Sequence, residues 1–394
     1  MTSLYLWTSC QPKKCSLFVK LLAAAIRSVV TIPKSSLLGD LSGVSHNINY
    51  TQSPECNHIV VYKNRSTRSS IKILSVARYI CLYYNKNIDL HRAQIMSTLC
   101  FITLDVFTST QFLGNPLAIV HVPNDLKNVL SQTQKQTIAR EFNLSETVFM
   151  HEGSPDRPIT IDIFTTDAEL PFAGHPSIGS GRYLLSRYPA KDRVTLRTKA
   201  GDIPVVRSGN GKVRLQIPID FKAHPRCVHP RVKVLQPQLN DSDYTNGLEG
   251  PEAVASIVKG MTFLLLQLTS ENALARLLPP PERLSMSGLG EWDGFVGLYF
   301  FYKREDGVLR TRMFDGPLED PATGSAAATL ASWLAKERGQ GVWTFHVVQG
   351  VEMGRRGEVE VMVGVDAGSE VERVELGGSA VEIMEGTIRT GHEA

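Results

Sequence analysis

Acidic side chains are missing from the first 39 residues, and Asp40 is the first to occur. Glycine is nearly absent there too: of 31 glycines, only Gly39 and Gly43 precede Met96. Residues 1–95 hold 12 Lys+Arg against 3 Asp+Glu, net +9, whereas the remainder holds 30 against 36, net −6. Such a split is not expected of one folding unit. Cysteines form no CxxC pair, and the two beyond Met96, Cys100 and Cys227, stand alone. A zinc site or a disulfide framework is therefore not expected, and a reducing compartment, the cytoplasm, is the default. No apolar run reaches the roughly 18–20 residues a membrane helix needs, so no membrane association is expected. No GxGxxG in strand–helix context, Walker loop or His/Cys cluster occurs, which removes the sequence signals for a nucleotide, flavin or metal cofactor.

Residues 1–95 read as a basic N-terminal extension, expected to be poorly ordered or to lie upstream of a start at Met96-Ser97. Its apolar Leu17–Ile26, in acid-free surroundings, also admits a mitochondrial targeting role; Lys20 and the basic residues that follow fit a secretory signal less well. Lys63, Arg65, Arg68 and Lys72 lack an aromatic platform, so nucleic-acid binding is not expected.

From Met96 onward the pattern is strand-rich. Phe101–Phe107 and Leu117–Val122 read as strands separated by a turn at Gly114-Asn115-Pro116. A helix follows over Leu130–Phe142, with Ser131 as N-cap. Strands are expected at Thr147–Met150 and Ile159–Phe164, a helix over Pro176–Tyr188, and a meander through Val194–Thr198, Ile203–Val206 and Val213–Ile217. Residues 218–250 read as a crossover. Beyond it come strands at Gly294–Tyr302 and Leu309–Phe314, a small-residue helix over Pro321–Lys336 and a strand at Val359–Val363. The expected domains are 96–217 and 218–394.

Two stretches resemble one another. His175-Pro176-Ser177-Ile178-Gly179-Ser180-Gly181 and Asp320-Pro321-Ala322-Thr323-Gly324-Ser325-Ala326 each place a polar residue, Pro, two residues, Gly-Ser and a small residue at a helix start. The spacing suggests an internal duplication. Helix starts offer unpaired N–H groups and partial positive charge, so two facing each other would hold a carboxylate and stabilise a forming enolate. In this reading Gly179 and Gly324 permit close approach, while Ser180 and Ser325 add hydroxyls. A base is also required. Glu146, at a helix-to-strand junction among apolar residues, is the candidate, and partial burial is expected to raise its pKa. Taken singly, Glu146, His175 and Asp320 also fit an exposed glutamate, a structural histidine and an N-cap.

In order, Phe107-Thr108 with Gly114–Ala118, Glu141–Thr147, Glu169–Pro176, Glu319–Ala326 and Gln349–Arg355 resemble the motifs of the PhzF-like phenazine-biosynthesis isomerase family. The resemblance runs from about Thr98 to Met362 and beyond, leaving residues 1–95 outside. It implies an α/β diaminopimelate-epimerase-like fold: two pseudo-symmetric lobes, each a curled sheet around a central helix, with the active site between them. It also implies a cofactor-independent isomerase acting on a small carboxylate-bearing substrate, with catalytic residues Glu146, His175 and Asp320. Ser145, Gly174, Gly324 and Ser325 are then expected at the substrate, and the protein as a homodimer. Two departures stand out. Only Asp315-Gly316-Pro317-Leu318 separates Phe314 from Glu319, a shorter connection than the family's, which is expected to reshape one pocket wall. Cys100 and Cys227 lie in neither helix-start motif, which disfavours the two-thiol racemisation of related epimerases. The competing expectation is a non-catalytic metabolite-binding or interaction protein on the same scaffold.

Overall fold

The computed structural model describes residues 50–53, 56–61 and 98–390. Strands β1 (Tyr50–Ser53) and β2 (Cys56–Val61) pair antiparallel. Apart from these, the expectations for residues 1–95 lie outside the described residues. The rest begins with β3 (Thr98–Val106), β4 (Asn115–Val122), α1 (Gln132–Phe142), β5 (Thr147–His151), β6 (Ile159–Phe164), β7 (Glu169–Leu170) and α2 (Gly174–Arg187). Next come β8 (Arg193–Thr198), β9 (Gly201–Arg207), β10 (Val213–Gln216), β11 (Lys222–Cys227), α3 (Pro230–Val234), β12 (Glu252–Val258), β13 (Met261–Gln267) and α4 (Glu271–Ala275). The chain ends through β14 (Phe295–Lys303), β15 (Leu309–Asp315), β16 (Leu318–Asp320), α5 (Gly324–Arg338), β17 (Gly341–Gln349), β18 (Gly357–Val365), β19 (Val371–Gly378) and β20 (Ala380–Arg389).

Hydrogen-bonded neighbours run β20-β3-β4-β5-β6-β8-β9-β10, then across to β19-β18-β17-β15-β14-β13-β12-β11. Small β7 and β16 hang on β6 and β15. The duplication is visible in the pairing itself. The parallel pairs β4–β5 and β6–β8 recur as β13–β14 and β15–β17. The strand after each meander closes a lobe: β11 pairs with β12, and β20 returns to pair with β3. Antiparallel β10–β19 joins the two halves, and β3 to β20 lie in one compact unit. This is the expected α/β architecture, two lobes each wrapped around a helix.

Those helices, α2 and α5, are buried because their sequences are small or apolar on nearly every face. Ile178, Leu185, Ala326, Ala327, Ala328, Leu330, Ala331 and Ala335 are fully covered in one core with both curled sheets. Each large apolar side chain so covered contributes about 1.5–3 kcal/mol. A second apolar cluster lies under α4 and β14, and a third under α1. Among the described residues no helix is long and apolar enough to cross a membrane.

Several element boundaries differ from those expected. α1 begins at Gln132, and Ser131 caps it in a reciprocal box with Gln134. α2 begins two residues before Pro176, and α5 begins three after Pro321, so neither proline opens its helix. Residues 218–250 are more than a crossover, since β11 and α3 form there. Strands β12, β13, β17, β19 and β20 were not anticipated. In β12 and β13 nearly every residue is buried, so no period of two marks them.

Candidate active site

α2 and α5 start side by side. A Cβ placed on Gly324 would lie 3.6 Å from the His175 amide nitrogen, and one on Gly174 would lie 3.9 Å from the Gly324 Cα. Beneath both sits Leu376 of β19, fully buried: its Cδ1 would be 2.5 Å from a Cβ on Gly174 and 3.1 Å from one on Gly324. Glycine at both positions therefore lets two helix starts converge over one leucine. Neither N-cap residue, Ala173 or Thr323, caps with its side chain, so that device does not occupy the first-turn N–H groups.

This geometry corrects the register of the sequence repeat. The equivalent residues are Gly174 and Gly324, 150 apart, with His175 matching Ser325 and Leu170-Pro171 matching Asp320-Pro321. The heptad alignment, 145 apart, matched Gly179 with Gly324. Gly179 lies inside α2, where a Cβ would be 2.5 Å from Leu117 Cδ2, and Ser180 is fully buried. Neither belongs to the cleft. Asp320 is the last residue of β16 and not an N-cap.

The chain reaches the site from the other side through a left-handed turn at Asn143 (φ 50°), which ends α1 and leads through Ser145 and Glu146 into β5. Glu146 Oε2 lies 3.0 Å from His175 Nδ1, and its side chain is only 18% exposed. It does not face bulk solvent. His175 is 4% exposed, and its Nε2 is buried without a hydrogen-bond partner among the described residues. Asp320, from the other lobe, is tied in by Asn115, buried at the start of β4. Asn115 Nδ2 donates to Asp320 Oδ1 and to the Ala322 carbonyl, both at 2.9 Å, while Ser145 Oγ donates to Asn115 Oδ1 at 3.4 Å. The Thr323 hydroxyl donates to Asp320 Oδ2. Behind it, Gln349 Nε2 donates to the Asp320 carbonyl (2.7 Å) and to Thr323 Oγ1 (2.9 Å), and Tyr299 donates to Gln349 Oε1 (3.2 Å). Bidentate Arg312–Glu319 contacts of 2.7 and 2.8 Å anchor β16 next to Asp320.

The two carboxyls are driven apart. Burial raises the pKa of Glu146, but the hydrogen bond and charge of His175 and the hydrogen bond of Ser145 outweigh it, leaving the group below its ordinary value. This reverses the expectation that burial would dominate. Asp320 moves the other way, up to about 6: burial and the charge of Glu146 raise it, and bonds from Thr323 and Asn115 with the charge of His175 offset only part. Opposed pKa values in neighbouring carboxyls are the usual mark of divided acid and base roles.

Of the residues expected at the site, Glu146, His175, Asp320, Ser145, Gly174 and Gly324 share this network or its floor. Ser325, second in α5, has a partly buried hydroxyl with no hydrogen-bond partner among the described residues. Asn115, Thr323 and Gln349 were not anticipated as site residues, although all three stand inside quoted motifs. Cys100 is exposed on β3 and Cys227 ends β11, so neither lies at a helix start. The short connection before Glu319 is a tight hairpin turning at Gly316-Pro317 (Gly316 φ 59°), held by an Asp315–Arg283 ion pair of 2.9 Å. Among the described residues no group of three or more His, Cys, Asp or Glu is arranged to hold a metal. A cavity of about 430 Å³ opens elsewhere, at the C-terminal end of α2 between His121, Met150 and Tyr183. It contains neither Glu146 nor Asp320 and is not the site of this chemistry.

Residues 104–386 match the PhzC-PhzF family, described as phenazine biosynthesis-like protein. The chain is 33% identical over 298 residues to a trans-2,3-dihydro-3-hydroxyanthranilate isomerase of Pseudomonas aeruginosa, covering 73% of this chain and 98% of that protein. An uncharacterized isomerase of Pasteurella multocida is 32% identical over 291 residues, covering 71% and 90%. Among solved structures, a Bacillus anthracis phenazine biosynthesis protein of the PhzF family superposes with a TM-score of 0.59 at 22% identity, over 74% of this chain and 99% of that one. At that identity the likeness shows the fold.

Proposed function

We propose, on the premise that the chain belongs to the phenazine biosynthesis-like family and is an isomerase of it, that it moves a proton between two carbons of a small carboxylate-bearing metabolite. The carrying observation is geometric: partly buried Glu146 lies 3.0 Å from His175 in the first turn of α2, and Asp320, held by Asn115, stands just before α5, whose start meets that of α2. Glu146, ionised and aligned by His175, removes a proton from a carbon next to an unsaturated, electron-withdrawing group. The C–H bond breaks, the double bond migrates, and negative charge develops on the conjugated system. Protonated Glu146 exchanges its proton with solvent and delivers one to a second carbon, so nothing is oxidised or reduced. First-turn N–H groups at Gly174 and Gly324, with the Ser145 and Ser325 hydroxyls, hold the substrate's carboxylate and the developing charge. Asp320, protonated below about pH 6, and His175 relay or position. The trans-2,3-dihydro-3-hydroxyanthranilate for which the Pseudomonas aeruginosa relative is named is compatible with this scheme and defines a first compound class to test.

Such a transfer uses only the protein's own acid, base and dipoles, and no cofactor is part of the proposal. The homodimer implied by the resemblance and a cytoplasmic location belong to the proposal as well. The decisive experiment is Glu146→Gln, with its fold verified by circular dichroism, assayed for solvent deuterium entering trans-2,3-dihydro-3-hydroxyanthranilate and related cyclic carboxylates. A loss of at least about 10²–10³-fold is expected from removing an acid–base group. Exchange at the wild-type rate would refute Glu146 as the base.

A further inference from the structure

A second polar recess, of about 180 Å³, lies where the two halves meet, beside Phe107. Its walls come from the loop after β3, the tip of the β9–β10 hairpin, and residues Arg356, Glu358 and Ser379. Backbone bonds stitch these segments together. Phe107 N–H donates to the Ser379 carbonyl (2.8 Å), Glu358 N–H to the Phe107 carbonyl (2.7 Å) and Gly114 N–H to the Arg356 carbonyl (3.0 Å). The hairpin turns through Asn210-Gly211, both left-handed (φ 61° and 73°), as a two-residue turn of this composition does. Its Ser379 contact, Oγ donating to the Gly211 carbonyl at 3.4 Å, fixes the tip against the other wall. The recess is thus framed by main chain and does not depend on mobile side chains for its shape.

Its chemistry is cationic and rich in donors. Lys212 is half-buried, and among the described residues its ammonium has no ion pair and no hydrogen bond. Arg356 is the second cation, with Nε and Nη2 both donating to Glu358 Oε1 at 3.1 and 3.0 Å. With Glu358 counted, the lining carries one uncompensated positive charge. The Ser109 and Thr110 hydroxyls and the Asn210 amide also have no partners among the described residues. A half-buried cation that shares a recess with exposed, unpartnered hydroxyl and amide donors suits a compact oxyanion, and the small volume limits its size. The recess is not the proton-transfer site. Phe107 separates them: it lines the recess, yet its ring meets His175 at a centroid distance of 6.4 Å, with Cζ 3.6 Å from where a Gly324 Cβ would stand.

We propose that this recess binds a phosphate-type oxyanion, either inorganic phosphate or the phosphoryl group of a small metabolite, as a site distinct from Glu146, His175 and Asp320. An anion there would lie across Phe107 from the two helix starts, placed to bias their packing. The proposal does not depend on the proton-transfer reading, because its test measures binding alone.

The test is isothermal titration of the full chain with inorganic phosphate, and separately with glycerol 1-phosphate, at ionic strength held constant with chloride. Saturable binding is expected, weakened at least about tenfold by Lys212→Met, as the loss of a charge-assisted hydrogen bond implies. Lys212→Arg, which keeps the charge, should retain binding and shows that a loss in Lys212→Met is not misfolding. Glu146→Gln should bind as wild type. Tighter binding of glycerol 1-phosphate would assign the recess to a phosphorylated metabolite, and equal or weaker binding to free phosphate. No saturable binding, binding indifferent to Lys212→Met, or binding tightened in Glu146→Gln would each overturn the proposal, the last by placing the anion at the catalytic helix starts, where the Glu146 charge repels it.

Discussion

Asn115 illustrates how single residues couple the halves of the site. It stands on β4 of one lobe, yet its amide donates to Asp320 and to the Ala322 carbonyl of the other. Asn115→Ala would leave both acceptors short of a donor, costing about 1–3 kcal/mol. It should also push the Asp320 pKa higher, because that bond favours the ionised form; the acid limb of a pH–rate profile would record the shift. Asp320 itself gives a stability prediction with a definite sign. Its folded pKa, about 6, exceeds the ordinary value of 3.8, so the folded protein binds the proton more tightly. Stability should therefore fall as pH rises from about 4 to 6, by roughly 2–3 kcal/mol in all. Glu146 is shifted downwards, so its stabilisation is lost only at lower pH, as pH falls through its folded pKa. Asp320→Asn should flatten the denaturant midpoint between pH 4 and 6; an unchanged slope would refute the assignment. From sequence, Glu146, His175 and Asp320 were legible as residue types in motifs. The sign of the Glu146 shift was not, because it depends on a 3.0 Å contact between residues 29 apart.

At the level of elements, the convergence of α2 and α5 over Leu376 sets the site's geometry. Gly174→Ala would drive a Cβ to 2.5 Å from Leu376 Cδ1, an overpacking expected to cost about 1–3 kcal/mol. Leu376→Ala alone should cost about 2–5 kcal/mol through the cavity it leaves. Combined, the two changes should cost less than their sum, and a double-mutant cycle in urea would read that coupling. Strict additivity would mean that the leucine does not constrain the helix starts. The heptad comparison found the right two helices in the wrong register, since Gly-Ser occurs inside α2 and at the start of α5. Only burial distinguishes them. Strands alternating in exposure, such as β8 and β10, were readable, whereas β12 and β13, covered on both faces, carried no alternation to read.

Across the whole molecule, the pseudo-symmetry is one of pairing more than of letters. β11 and β20 play the same part in their respective lobes, and β20 lies along β3 from Ala380↔Val106 to Arg389↔Thr98. Removing residues 379–394 should therefore damage the lobe that carries Glu146, although that lobe is nearly complete by residue 216. The expected result is loss of cooperative unfolding by circular dichroism. A soluble, cooperatively folding truncation would show that β20 is dispensable.

That return of the last strand also orders events at the ribosome. Strand β3 is made early, but its partner emerges some 280 residues later, about 15–60 s at ordinary elongation rates. Throughout that interval the nascent chain carries an unpaired edge at β3, open to wrong partners. The first lobe begins before the second and is completed after it, so yield in a host cell should depend on what shields that edge until β20 emerges.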